Sequence, residues 1–277
     1  MRSSLEICTL ATGQTRVVLQ TDELIEAPNW HPEGWLMVNG NGRLCRVALA
    51  APSLIHIDTG PLTRCNNDHG FTRDGGAILF SCHRENGAEI FRLPLTGTPE
   101  LISPELISPE PPSWFHGTAP DGSGITYAAA RGDKRVVDVY TRSWDRPEQR
   151  LTMGEGHSDG PEYSADGRQI FFNNDRSGHT QIWVMASDGS TQRPLFTDEN
   201  VNWFPHPSPD GKHLLYLAYP PGTFGHPRDL PVALCLAAPD GTNRRRVVEL
   251  TGGQGTINVP SWSPDSTEFA FMRFATP

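Results

Sequence analysis

The chain has 277 residues, 36% apolar content, 27 Gly, 25 Pro and a formal net charge of −9 at pH 7. That acidic balance excludes the basic footprint which a nucleic-acid backbone demands, and no apolar run approaches the roughly 18 residues that a membrane-crossing helix needs. The five cysteines (8, 45, 65, 82 and 235) are odd in number and form no Cys-x-x-Cys pair, which argues against a disulfide framework or a zinc knuckle.

Taken in order, the N-terminal MRSSLEICTLATGQTR lacks the continuous apolar stretch of a secretory leader, so a cytoplasmic location is expected. Leu5 to Gln20 reads as two strands around a Gly turn. A small acidic turn then recurs: His31-Pro32-Glu33-Gly34, Arg73-Asp74-Gly75, Pro120-Asp121-Gly122, Ala165-Asp166-Gly167, Pro209-Asp210-Gly211 and Pro264-Asp265-Ser266. The acidic positions 33, 74, 121, 166, 210 and 265 are spaced by 41, 47, 45, 44 and 55. Asp caps its own tight turn and Gly supplies the positive φ that a hairpin needs. Each turn is followed by a half-buried strand: WLMVN, AILFS, GITYAA, QIFFN, HLLYLA and EFAFMRF. A polar loop and a third strand come next (LCRVAL, EIFRLPL, VVDVYTR, QIWVMA, VALCLAA), then an outer strand. Runs this short, rich in Ile, Phe, Trp and Val between Gly/Asp/Asn turns, are strands rather than helices.

The fourth unit is the clearest. It predicts strands over 159–164, 169–173, 181–186 and 193–196. Units of about four strands at about 40–50 residue spacing are propeller blades. The last unit supplies only two strands before the chain stops, and residues 5–20 align with the third and fourth strands of the fourth unit. The prediction is a single all-β domain over 1–277, a six-bladed β-propeller of four-stranded antiparallel blades. Its sixth blade is shared between 2–20 and 256–277, so the N-terminal strands close the ring and remove exposed sheet edges.

SADGRQIFFNNDRSGHTQIWVMASDGS (164–190) resembles the repeat of TolB-type six-bladed propellers, the WD40-like β-propeller repeat family. The likeness covers nearly the whole chain and is weakest in the first unit, where Pro-Asp-Gly becomes Pro-Glu-Gly. The family's namesake also carries an N-terminal α/β domain and a secretion signal. This sequence shows neither, so the resemblance implies the fold and not an envelope role.

In such a ring the innermost strands line a central channel. The segments leading into them share one face with the loops between second and third strands. Six of the ten histidines fall on that face: His69, His116 and His157 before inner strands, and His83, His179 and His226 in the loops. With Asn67, Asp68, Trp114, Asp159, Trp203 and Asn258 they predict a polar funnel, an aromatic platform with hydrogen-bonding groups that suits a sugar or peptide. Against this stands the plain fact that loops are polar in any propeller and that turn-forming Asn and Asp often satisfy only backbone groups.

His69 and His116 each lie five residues before their turn acid, where the other units have Pro28, Pro161, Pro205 and Pro260. Together they would make a divalent-metal or acid–base pair, or simply two channel-lining imidazoles bonded to water or carbonyls. Val201 to Ser208 is similar to the metal-binding stretch of oligogalacturonate lyases, with only His206 at a ligand position; Phe204 and Val201 replace the others. Arg84, Arg131 and Arg176, each ten residues after a turn acid, are expected to tie neighbouring blades. Tyr219 to Pro231 is the longest loop on the funnel face, a lid, a docking loop or an ordinary insertion. The tandem LISPELISPE (101–110) is expected to be a surface connection.

The leading expectation is a scaffold without cofactor that binds a protein, peptide or carbohydrate at the funnel, with neither nucleic acid nor membrane insertion. The second is a lyase or hydrolase acting on acidic sugars through His69 and His116, with or without a divalent metal there.

Overall fold

The computed structural model describes residues 2–95, 105–132 and 136–275. Every element in it is a β-strand. Blade 1 is β3 (Ile25–Trp30), β4 (Leu36–Gly40), β5 (Arg43–Val47) and β6 (Ile55–His56). Blade 2 is β7 (Cys65–Phe71), β8 (Ala77–Arg84), β9 (Gly87–Pro94) and β10 (Glu105–Leu106). Blade 3 is β11 (Ser113–Thr118), β12 (Gly124–Ala130), β13 (Val137–Ser143) and β14 (Gln149–Arg150). Blade 4 is β15 (Ser158–Tyr163), β16 (Gln169–Asn174), β17 (Gln181–Ala186) and β18 (Arg193–Pro194). Blade 5 is β19 (Val201–Pro207), β20 (Leu214–Tyr219), β21 (Leu230–Ala237) and β22 (Arg245–Gly252). Blade 6 joins β23 (Glu268–Ala275) to β1 (Arg2–Thr9) and β2 (Thr15–Thr21), and its innermost strand is reduced to a bridge between Trp262 and Phe269. The ring is thus closed by the N-terminal strands, as the sequence predicts.

The acidic turn works as its composition implies. Ser164 Oγ donates to Asp166 Oδ1 (2.7 Å), which also accepts from Arg168 N, while Gly167 takes φ +71°. Thr72/Asp74, Ser208/Asp210 and Ser263/Asp265 repeat the hydroxyl–carboxylate bond. A hydroxyl two residues before the acid is therefore part of the turn's chemistry. Ser266 takes the glycine position of the last turn at φ +62°, a left-handed conformation that costs more with a side chain.

The core lies between blades. Leu5, Ile7, Met272 and Phe274 of blade 6 pack on Ile25, Leu36 and Val38 of blade 1. Ile182 and Val184 of blade 4 meet Leu214, Tyr216 and Cys235 of blade 5 in the same way. Each sheet is apolar on both faces for this reason, so its strands read as continuous apolar runs.

Every hydrogen-bonded inner strand carries a bulge near its channel-mouth end. In blades 1, 4 and 5 the bulge is a left-handed residue followed by Pro: Ala27 (φ +57°), Gly160 (+59°) and Phe204 (+57°). A bulge re-aims the neighbouring side chain and ends regular pairing. The tandem LISPE segment differs from expectation: residues 101–104 lie outside the described residues, but Glu105–Leu106, at the junction of the two copies, form an outer strand and Ile107 packs on the core between blades 2 and 3.

Candidate functional site

At the channel-mouth end each blade presents an equivalent side chain, seven residues before its turn acid. In blade order these are Glu26, Asn67, Trp114, Asp159, Trp203 and Asn258. Asn67 accepts from Asn39 Nδ2 (3.0 Å). Glu26 accepts from Arg228 (3.3 Å). Asn258 accepts from Gly255 N (2.6 Å) and donates to Gln254 (3.0 Å). The Asn39–Asn67 and Arg228–Glu26 bonds cross blade boundaries and link blades 1, 2 and 5 at the mouth.

The most charged part lies between blades 3 and 4. His116 Nε2 stands 3.0 Å from Asp159 Oδ1, and His157 Nε2 3.6 Å from Oδ2. The His116 approach is off the ideal hydrogen-bond direction. Burial alone would raise the Asp159 carboxyl, but the two imidazoles overcome it and hold it well below the ordinary range. Burial likewise disfavours charge on His116 and His157, and Asp159 outweighs it, so both are raised. Asp68, half-buried beside them, is pushed up to about 6: burial and Asp159 raise it against the pull of His116 and of the bond from Asn66. His69 is different. It is wholly buried, neither ring nitrogen meets a hydrogen-bond partner among the described residues, and burial pushes it down to about 3, so it is a neutral imidazole.

The loop from Tyr219 to Pro231 arches from blade 5 across this mouth. His226 packs edge-on against Trp203 at 4.4 Å, with burial pushing its pKa down. Arg228 reaches past blade 6 to Glu26 of blade 1. Tyr219 Oη donates to Pro227 O (3.1 Å), and Gln254 N donates to the same carbonyl. Between these ties Phe224 stands 97% exposed.

A family profile described as TolB beta propeller domain matches residues 111–230. An uncharacterised protein of Agrobacterium fabrum is 47% identical over 99% of this chain and 93% of its own length. A solved structure from Agrobacterium tumefaciens, provisionally named TolB, superposes with TM-score 0.95 at 45% identity, covering 100% of this chain and 99% of that one. The chain belongs to the TolB-like β-propeller family. TolB from Acinetobacter baumannii shares the fold at TM-score 0.67 and 18% identity, over 91% of this chain and 64% of its own.

Within this TolB-like ring the histidines expected to pair do not touch alike: His116 meets Asp159, while His69 is packed with no polar partner. Among the described residues no three His, Cys, Asp or Glu side chains converge as a metal ion requires. His206 lies deeper, with Nδ1 at 2.5 Å from Glu162 Oε1 and Nε2 on Ile257 O, while Phe204 and Val201 belong to the core. Arg131 and Arg176 fasten their own blade to the segment leading into it, not to a neighbour. Arg131 binds Pro112 O, Ser113 Oγ and Glu148, and Arg176 binds Glu155 and Gln192 while lying over Trp183. Arg84, itself exposed, contacts Glu89 of its own blade.

Sequence reasoning missed Glu26 and its partner Arg228. The signal was present, since Glu26 stands seven residues before Glu33 as Asp159 does before Asp166.

Proposed function

We propose that this TolB-like propeller is a non-catalytic binding protein that takes a peptide segment of a partner at its channel mouth. The observation that supports the reading best is Phe224, an almost fully exposed aromatic on a loop held at the mouth by Arg228, Tyr219 and the His226–Trp203 contact. A large apolar side chain displayed on an anchored loop, beside a belt of hydrogen-bonding groups, has the composition of an interaction surface. Trp114, also half-buried in the belt, adds a second aromatic edge.

Panning a random-peptide phage library against the immobilised protein tests this. Enriched peptides should lose most of their binding to a Phe224→Ser/Trp114→Ala variant whose melting temperature is unchanged. Peptides that bind this variant as well as the parent would refute the mouth as the binding site.

One observation favours a second reading. A histidine on a carboxylate, as in His116–Asp159, is an acid–base arrangement, and on that reading the mouth is a lyase or hydrolase site for acidic sugars. A thermal-unfolding screen with acidic oligosaccharides and divalent metals, followed by a product assay, separates the two. A ligand at 100 times its dissociation constant adds about 2.7 kcal/mol. Stabilisation and turnover that both vanish in His116→Gln would favour the enzyme.

A further inference from the structure

The other end of the channel, where the acidic turns lie, holds a separate cavity of about 360 Å³. That is within the range of small-molecule sites. Its walls are aromatic and proline side chains: Trp30, Phe71 and Trp262 from the inner strands, Pro32, Pro209 and Pro264 from the turns. One wall residue breaks the pattern. Immediately before the turn acid the six units carry Pro32, Arg73, Pro120, Ala165, Pro209 and Pro264. Arg73 alone is charged, and it lines the cavity. The neighbouring carboxylate of Asp74 is taken up by Thr72 Oγ1 and Gly76 N, and among the described residues the Arg73 guanidinium forms no ion pair.

Two wall residues also hold a polar atom that is buried behind the cavity surface without a partner among the described residues. Asn29, only 3% exposed, gives its Nδ2 to Pro260 O but leaves Oδ1 without a partner. Trp30 Nε1 is likewise buried with no acceptor. Buried polar groups normally find partners, and each one left over asks for an explanation. An apolar pocket bordered by an exposed guanidinium without a carboxylate partner suits an occupant carrying negative charge on an apolar body.

We propose that this cavity binds a small apolar carboxylic acid, aromatic or branched, as its anion. The carboxylate meets the Arg73 guanidinium, whose planar fork matches two carboxylate oxygens. The body lies among Trp30, Phe71 and Trp262, where ring–ring contacts add to apolar burial. This site is at the opposite end of the channel from the mouth and is independent of what binds there.

Tryptophan fluorescence of the intact protein provides the assay, because Trp30 and Trp262 border the cavity. The probes are 3-phenylpropionate and its uncharged amide, with acetyl-Gly-Gly-Phe and its amide as a second pair. Preference for the acid of the first pair by about tenfold, a difference of about 1.4 kcal/mol, is expected. Preference only in the second pair keeps the carboxylate chemistry but assigns it to a chain end. Arg73→Pro, which installs the residue used by most other units, should fold normally and reduce the preference to near unity; Arg73→Gln serves the same purpose if the proline variant does not fold. Equal binding of acid and amide, a preference that survives both variants, or no response to either acid at about 10 mM would each overturn the proposal.

Discussion

Single side chains bolt one blade to the next. Asn173 on β16 is wholly buried, donates to Asn202 O (3.0 Å) and accepts from Phe204 N (2.9 Å), both on the inner strand of blade 5. Ser81 accepts from Phe115 N (2.8 Å) between blades 2 and 3, and Asn39 donates to Cys65 O (3.3 Å) between blades 1 and 2. Phe204 holds a left-handed backbone at φ +57°, so Asn173 also supports a strained residue. Asn173→Ala removes both bonds and strands a buried N–H, which should cost about 2–3 kcal/mol and lower the melting temperature by roughly 5–10 °C. A calorimetric scan unchanged by the substitution would show that the bolt is dispensable.

His69 makes a second prediction at this scale. Its folded-state pKa is lowered to about 3 from 6.5. Below pH 6.5 the unfolded chain takes up a proton that the folded chain refuses, so stability falls with falling pH through that window. Asp68, raised to about 6, acts in the opposite direction over much of the same range, and Asp159, being lowered, loses its contribution only below about pH 3.8. The difference between parent and His69→Leu isolates the imidazole. Urea titrations at pH 4.5, 5.5 and 7.5 should give an acid limb shallower in the variant by up to about 1.4 kcal/mol per pH unit. Parallel curves would mean that His69 is protonated in the fold.

At the scale of strands and loops, the second and third strands of each blade were legible because both faces are buried and the turns on either side are marked by Asp-Gly. Blade 4 follows its predicted strands to within about two residues. The outer strands were less so: β6, β10, β14 and β18 are two residues long and exposed, and nothing apolar selects their ends. In blade 6 the innermost strand contracts to one bridge, since Thr256 and Asn258 instead make turn contacts with Gly253 and Gly255. The mouth was half legible. Five of its six equivalent positions can be read from polarity and aromaticity, but that Glu26 faces Arg228 cannot, because the loop partner is 202 residues away. That pair is partly exposed and should contribute only about 0.2–1 kcal/mol. Arg228→Ala should therefore leave the melting temperature nearly unchanged while faster amide exchange spreads over residues 220–229. Exchange confined to its parental rate would show that the loop is held by His226 and Tyr219 alone.

For the whole molecule, the decisive contact is the one that makes a ring of a chain. β1 pairs with β23 along its full length, from Arg2 opposite Ala275 to Thr9 opposite Glu268. Leu5 and Ile7 are completely buried there, in the cluster that joins blade 6 to blade 1. Deleting 2–20 would remove both, at about 1.5–3 kcal/mol each, open a cavity beside Met272 and Phe274, and expose the long edge of β23. The total rivals the 5–15 kcal/mol that typically separates folded from unfolded states, so the truncated chain should show no cooperative melt. The same register says how to separate closure from content. Arg2 faces Ala275, so a short hairpin linker can join 275 to 2, and new ends can be cut between Asn200 and Val201, in the connection between blades 4 and 5. That permutant keeps every strand but closes blade 6 covalently, leaving no blade shared between chain ends. It should fold to a monomer and melt cooperatively within several degrees of the parent. If the permutant failed as completely as the truncation, the N-terminal strands would be needed for the order in which the ring assembles, not merely for the contacts that complete it.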